Sequence, residues 1–162
     1  MTHSPVPFTF TDEERRLAME EGMRRQALNE SKGLRGRNKG PCSGDKALHV
    51  HLLGAAGEVA VASYLNLKHE LFKEKEARRG SDDLPGIDVK TRSKAHYDLI
   101  VQKNENPSKK FVLVTIENQQ TLLHGWCYGH EAMNERYWSD PARGRAAYFV
   151  PQSVLRPMET LL

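Results

Sequence analysis

The chain has 162 residues, 28% charged and 38% hydrophobic, a composition that suits one globular domain with a real core. Its net charge of +3 and pI near 8.9 are too mild to argue nucleic-acid binding alone. No apolar run reaches the roughly 18 residues of a membrane span, the polar, acidic start does not resemble a secretion signal, and Cys42 and Cys127 lack the spacing of a disulfide framework or cysteine zinc site. These features point to the reducing cytoplasm.

Thr11-Asp12-Glu13-Glu14 opens a helix, with Thr11 as cap and Glu14 completing a capping box. The helix is expected to run to about Glu30, where Gly33 can end it. Its apolar stripe (Met19, Met23, Ala27) is thin, which predicts loose packing against the body. From Arg24 to Lys46 seven basic residues face two acidic ones, among Gly33, Gly36, Gly40, Pro41 and Gly44. That composition predicts a flexible basic arm, suited to phosphate contacts and counterion release, with a solvated linker as the plain alternative. Residues 1–46 are therefore assigned to an N-terminal helix and arm, and 47–162 to the main domain.

Leu48 to Leu67 is the most apolar helix, and from Leu52 onward it carries one charge, Glu58. The helical neighbours of Glu58 are Gly54, Ala55, Val61 and Ala62. A carboxylate among small apolar groups is costly to bury without compensation, so Glu58 reads as placed rather than tolerated. The small neighbours also predict close approach to another backbone. His69 to Lys75 is expected as a short edge strand and Ala77 to Asp82 as a turn.

Pro85-Gly86 then signals a turn into the β-branched run Ile87, Val89, Thr91. Alternation sends these three toward a core and places Asp88, Lys90 and Arg92 on the opposite face. Further strands are expected at Tyr97–Lys103, Phe111–Ile116, Thr121–Tyr128 and Ala146–Val150. Residues 104–110 form a polar turn, Glu131–Tyr137 a short helix, and Gln152–Leu162 a short helix interrupted at Pro157. The fold class is α/β, with a mixed central sheet flanked by helices.

Gly57-Glu58 on the apolar helix, Asp83 before the turn, and Asp88-Val89-Lys90 on the strand together resemble the PD-(D/E)xK nuclease superfamily over roughly Leu48 to Val150. The resemblance implies a restriction-endonuclease-like core and a Mg²⁺-dependent nuclease acting on DNA, with Mn²⁺ able to substitute. It implies Asp83, Asp88 and Glu58 as metal ligands or supports and Lys90 as the residue assisting the attacking water. Proline follows the first acid instead of preceding it, and four residues separate Asp83 from Asp88, which leaves Asp82 a rival to Asp83.

The chemistry is consistent with that assignment: three converging carboxylates repel unless a cation joins them, and Mg²⁺ takes such oxygen ligands. Arg35, Arg37 and Lys39 of the arm, with Arg92 and Gln102, are the candidate phosphate contacts. DNA is the expected partner, with a homodimer left open. A DNA-binding or DNA-masking protein of the same fold, or an RNA-directed nuclease, is the alternative. Cys127 with His124 or His130 is a weak nucleophile candidate, because a strand cysteine beside Trp126 is usually core. Trp126, Trp138, Tyr148 and Phe149 are expected in the core rather than as stacking platforms.

Overall fold

A computed structural model describes residues 3–31, 45–72 and 82–162. In chain order the described elements are β1 (Val6–Phe8), α1 (Asp12–Ser31), α2 (Asp45–Tyr64), β2 (Ile87–Arg92), β3 (Leu99–Val101), β4 (Lys110–Glu117), β5 (Gln120–Tyr128), α3 (Gly129–Ala132), β6 (Trp138–Ser139) and β7 (Ala147–Val150). The expected capping box starts α1: Thr11 N–H donates to Glu14 Oε1 at 2.9 Å, and Glu14 N–H to Thr11 Oγ1 at 3.1 Å.

The main sheet has the order β1-β5-β4-β2 and is mixed. β2 runs parallel to β4 at one edge, while β4–β5 and β5–β1 are antiparallel. Asn118 and Gln119, both at positive φ, close the two-residue hairpin between β4 and β5. Alternate residues of β4 feed two cores. Val112 and Val114 join Ile87, Val89, Leu123 and Trp126 against Ala60, Val61 and Ala62 of α2. Phe111 and Leu113 join Leu99, Val101, Cys127 and Val150 on the other face. That second face is covered by a smaller antiparallel sheet of order β3-β7-β6. The α/β class and mixed sheet therefore stand, but the long described helices cover one face only, and strands cover the other.

α1 is not loosely held. Met19 and Met23, the expected stripe, are exposed, and the buried face of the helix is Glu14, Ala18, Glu21, Gly22 and Gln26. Gly22 brings α1 so close to α2 that a Cβ there would meet Leu52 Cδ2 at 2.7 Å. The helix meets its partner through Gly22 and charged side chains as well as Ala18 and Leu17, none of them in the expected stripe. The expected boundary between residues 46 and 47 lies inside α2, with α1 against the body.

Several shorter expectations change. Lys68–Glu70 is a 3-10 turn continued by a turn at Leu71 and Phe72, where an edge strand was expected, and 73–75 lie outside the described residues. The strand at Tyr97–Lys103 narrows to Leu99–Val101, and the helix at Glu131–Tyr137 becomes α3 plus a 3-10 turn at Glu135–Tyr137. β1 and β6 were not anticipated. The C-terminal stretch forms 3-10 turns on either side of Pro157, at Gln152–Val154 and Met158–Leu161. Trp126 is core as expected; Trp138, 42% exposed, is not. No helix among the described residues is long and apolar enough to cross a membrane.

Candidate metal centre

β2 partitions its side chains as its alternation dictates. Ile87 and Val89 enter the core beneath α2, and Thr91 lies against Gly57 of that helix. Asp88 and Lys90 point the other way, with Lys90 Nζ 5.6 Å from the centroid of Phe111. Arg92 continues that row, stacked on Tyr97 at 4.1 Å and donating to the Asp98 carbonyl at 3.0 Å.

The turn before β2 brings the acids together. Leu84 and Ile87 exchange both backbone hydrogen bonds, at 3.0 and 2.9 Å, around Pro85-Gly86. Gly86 sits at φ +72°, the value demanded after proline in a type II turn. Asp82 Oδ2 accepts from Gly86 N–H at 2.8 Å and ties the turn down. Asp83 Oδ2 accepts from Val89 N–H at 2.8 Å, and Asp83 N–H donates to Asp88 Oδ1 at 3.3 Å. The tight four-residue spacing is thus what folds the first acid back onto the second.

Burial and then the neighbouring Asp83 charge push the Asp88 carboxyl above its ordinary range, opposed by Lys109. Lys109 Nζ lies 2.7 Å from Asp82 Oδ1 and 3.3 Å from Asp88 Oδ2. Burial works against the Lys109 charge, yet bonds and charges from Asp82 and Asp88 hold its ammonium above the usual value. Asp82 and Asp88 share one cation, the Lys109 ammonium, and with Asp83 folded against Asp88 the oxygens here are hard donors of the kind a divalent ion takes.

Lys90 Nζ is bound to Glu105 Oε1 at 2.5 Å, and Glu105 Oε2 accepts from Gln102 N–H at 2.5 Å. The backbone rather than the amide of Gln102 thus makes that contact. Glu105 and Lys109 are site residues that sequence reasoning missed. Glu105 is the one acid in the 102–110 turn, a signal that was available. Lys109 reaches Asp88 only because the parallel register sets Lys110 opposite Ile87, which no local pattern reveals.

Glu58 is buried, as expected, but its company differs. Its carboxylate takes a two-point contact from Arg25 of α1, Nη1 to Oε2 at 2.9 Å and Nη2 to Oε1 at 3.1 Å. Arg25 Nε also donates to Glu21 Oε2 at 2.7 Å. Burial opposes the Arg25 charge, and Glu58 and Glu21 more than restore it. Among the described residues no three acidic, His or Cys side chains are gathered as a metal-ligand cluster, so neither Glu58 nor Asp82 joins Asp83 and Asp88 in one.

Arg35, Arg37 and Lys39 lie outside the described residues. Cys127 is buried on β5, and burial pushes its thiol up to about 12, away from the thiolate that a nucleophile needs. His124 Nε2 is paired with Thr115 Oγ1 at 2.7 Å, and His130 stacks on Tyr128. No protein-family model matches the chain, and no curated protein or solved structure matches it.

Proposed function

We propose that this protein is a divalent-metal-dependent nuclease of the PD-(D/E)xK type, hydrolysing phosphodiester bonds in DNA on a restriction-endonuclease-like core. One observation carries the reading: Asp88 and Lys90 share a face of an edge strand, and the turn folds Asp83 against Asp88. Asp83 and Asp88 would hold Mg²⁺, with Mn²⁺ able to substitute. Bound there, the ion supplies Lewis-acid polarisation of the phosphodiester.

The remaining work belongs to the chain. Lys90 presents an ammonium two residues from Asp88, where it can hold a water or the developing negative charge by N–H donation. Glu105 orients that ammonium. Tyr97 and the Asp98 carbonyl hold Arg92 in the same row, as a phosphate contact of fixed geometry. Arg35, Arg37 and Lys39 add sequence-independent attraction to the backbone. Glu58 serves this site indirectly, by fixing α1 to the helix that underlies β2.

The test is incubation with linear, nicked, circular and branched DNA, and with RNA, in the presence and absence of Mg²⁺ or Mn²⁺. Metal-dependent cleavage of DNA supports the reading, and cleavage confined to RNA moves the substrate class. A second reading, a DNA-binding or DNA-masking protein without catalysis, is favoured by the two ion pairs that neutralise Asp88 and Lys90, to Lys109 and Glu105. It predicts salt-sensitive DNA binding with no cleavage in any metal.

A further inference from the structure

We propose that Lys109 is a built-in competitor for the metal, holding Asp82 and Asp88 until a divalent cation and a phosphate arrive together. This role rests on the metal site proposed above. Each oxygen of Asp88 has one neighbour: Oδ1 accepts from Asp83 N–H at 3.3 Å and Oδ2 faces Lys109 Nζ at 3.3 Å. A divalent cation that ligates Asp88 comes beside the Lys109 ammonium and repels it. The Asp83 N–H is backbone, fixed by the turn, whereas the Lys109 ammonium rides on a flexible four-carbon stem.

The backbone of Lys109 is pinned on both sides. Its N–H donates to the Asn106 carbonyl at 3.3 Å, and its carbonyl accepts from Gly129 N–H at 2.8 Å. The neighbouring Lys110 N–H donates to the Gly86 carbonyl at 3.0 Å. A displaced ammonium therefore stays within reach of the turn. The Lys109 side chain is 13% exposed, so an ammonium pushed from Asp82 and Asp88 is stabilised by an anion brought to the same place. A phosphodiester brought against the same carboxylates provides it. Metal and nucleic acid then promote one another's binding through this one side chain, and linkage makes the effect reciprocal.

Mn²⁺ titration of the full chain, read by the loss of free-ion electron paramagnetic resonance signal, tests this without relying on turnover. Wild type, Lys109→Met, Lys109→Arg and Asp88→Asn are compared. Lys109→Met should bind Mn²⁺ about tenfold more tightly than wild type, within the usual range of coupling between sites. Lys109→Arg, which keeps the charge, should stay near wild type. In a Lys90→Ala background, which holds chemistry off, saturating duplex DNA should tighten Mn²⁺ binding, and adding Lys109→Met should remove most of that gain. Should Lys109→Met not fold, Lys109→Gln carries the same comparison. Unchanged or weaker Mn²⁺ affinity in the neutral variant, while Asp88→Asn still abolishes binding, overturns the role of Lys109 and leaves the metal site standing. Mn²⁺ binding indifferent to Asp88→Asn overturns the metal site itself, and this inference with it.

Discussion

Arg25 on α1 closes a two-point ion pair on the buried carboxylate of Glu58 on α2, at 2.9 and 3.1 Å. Glu58 is 4% exposed and sits one residue from the glycine that meets β2, so the pair locks the outer helix to the one beneath the candidate site. Removing one partner of a buried pair leaves an uncompensated charge, which costs about 3 kcal/mol or more. Arg25→Met should lower stability by that order, and adding Glu58→Gln should recover a large part of it. Urea denaturation of the two single variants and the double variant measures the coupling. Additive losses would mean that the pair does not act as a unit.

Asp88 should report its neighbours through pH. Its folded carboxyl is raised by burial and by Asp83, so folding favours the protonated form. A raised group's contribution is present at acid pH and is lost as pH climbs through the folded value. Asp88→Asn does not titrate. In metal-free buffer it should therefore gain on wild type as pH rises from about 4 toward neutrality. Thermal melting across that interval checks the sign; a gap that widens in favour of wild type would contradict the crowding of Asp83 on Asp88.

The arm makes a salt-dependent prediction. Every phosphate of duplex DNA that a basic side chain no longer neutralises reduces the log–log salt slope by roughly 0.9. Replacing Arg35, Arg37 and Lys39 with Ala should weaken DNA binding and flatten that slope accordingly, as fluorescence anisotropy at several salt concentrations would show. An unchanged slope would make the segment a linker.

Gly57 predicts how tightly α2 lies on β2. An added Cβ would fall 1.8 Å from Thr91 Oγ1 and 3.0 Å from Thr91 Cβ. Alanine normally gains about 1 kcal/mol over glycine within a helix. Here Gly57→Ala should instead destabilise, by about 1–3 kcal/mol for an overpacked contact. Thr91 Oγ1 is buried and without a hydrogen-bond partner among the described residues, so Thr91→Ala is a mild change on which part of the loss should be rescued. Calorimetry of the pair decides it: no rescue would place the strain elsewhere.

Local chemistry was legible in the sequence. The Thr11–Glu14 capping box, the alternation of β2, the apolar run of β4 and the burial of Glu58 follow from neighbouring residues and fall where that chemistry puts them. α2 lies close on β2 at Gly57, against the Thr91 side chain, and its own backbone is approached at Leu52 by Gly22 of α1. What was not legible depends on contacts distant in the chain. α1 buries Glu14, Glu21 and Gln26, polar groups that a hydrophobic-stripe argument assigns to solvent. Arg25 meets Glu58 across 33 residues, and Lys109 meets Asp88 across 21. β1 is three residues long and contains a proline, too little pattern to announce a strand.

The most direct test of the account is Mg²⁺-dependent phosphodiester cleavage by wild type, Lys90→Ala and Asp88→Ala, assayed side by side on the DNA form that wild type cleaves. Both variants should keep the wild-type circular dichroism spectrum and a cooperative melt, while cleavage falls to the metal-free background. Full cleavage by folded Lys90→Ala protein would contradict the assignment of β2 as the catalytic strand.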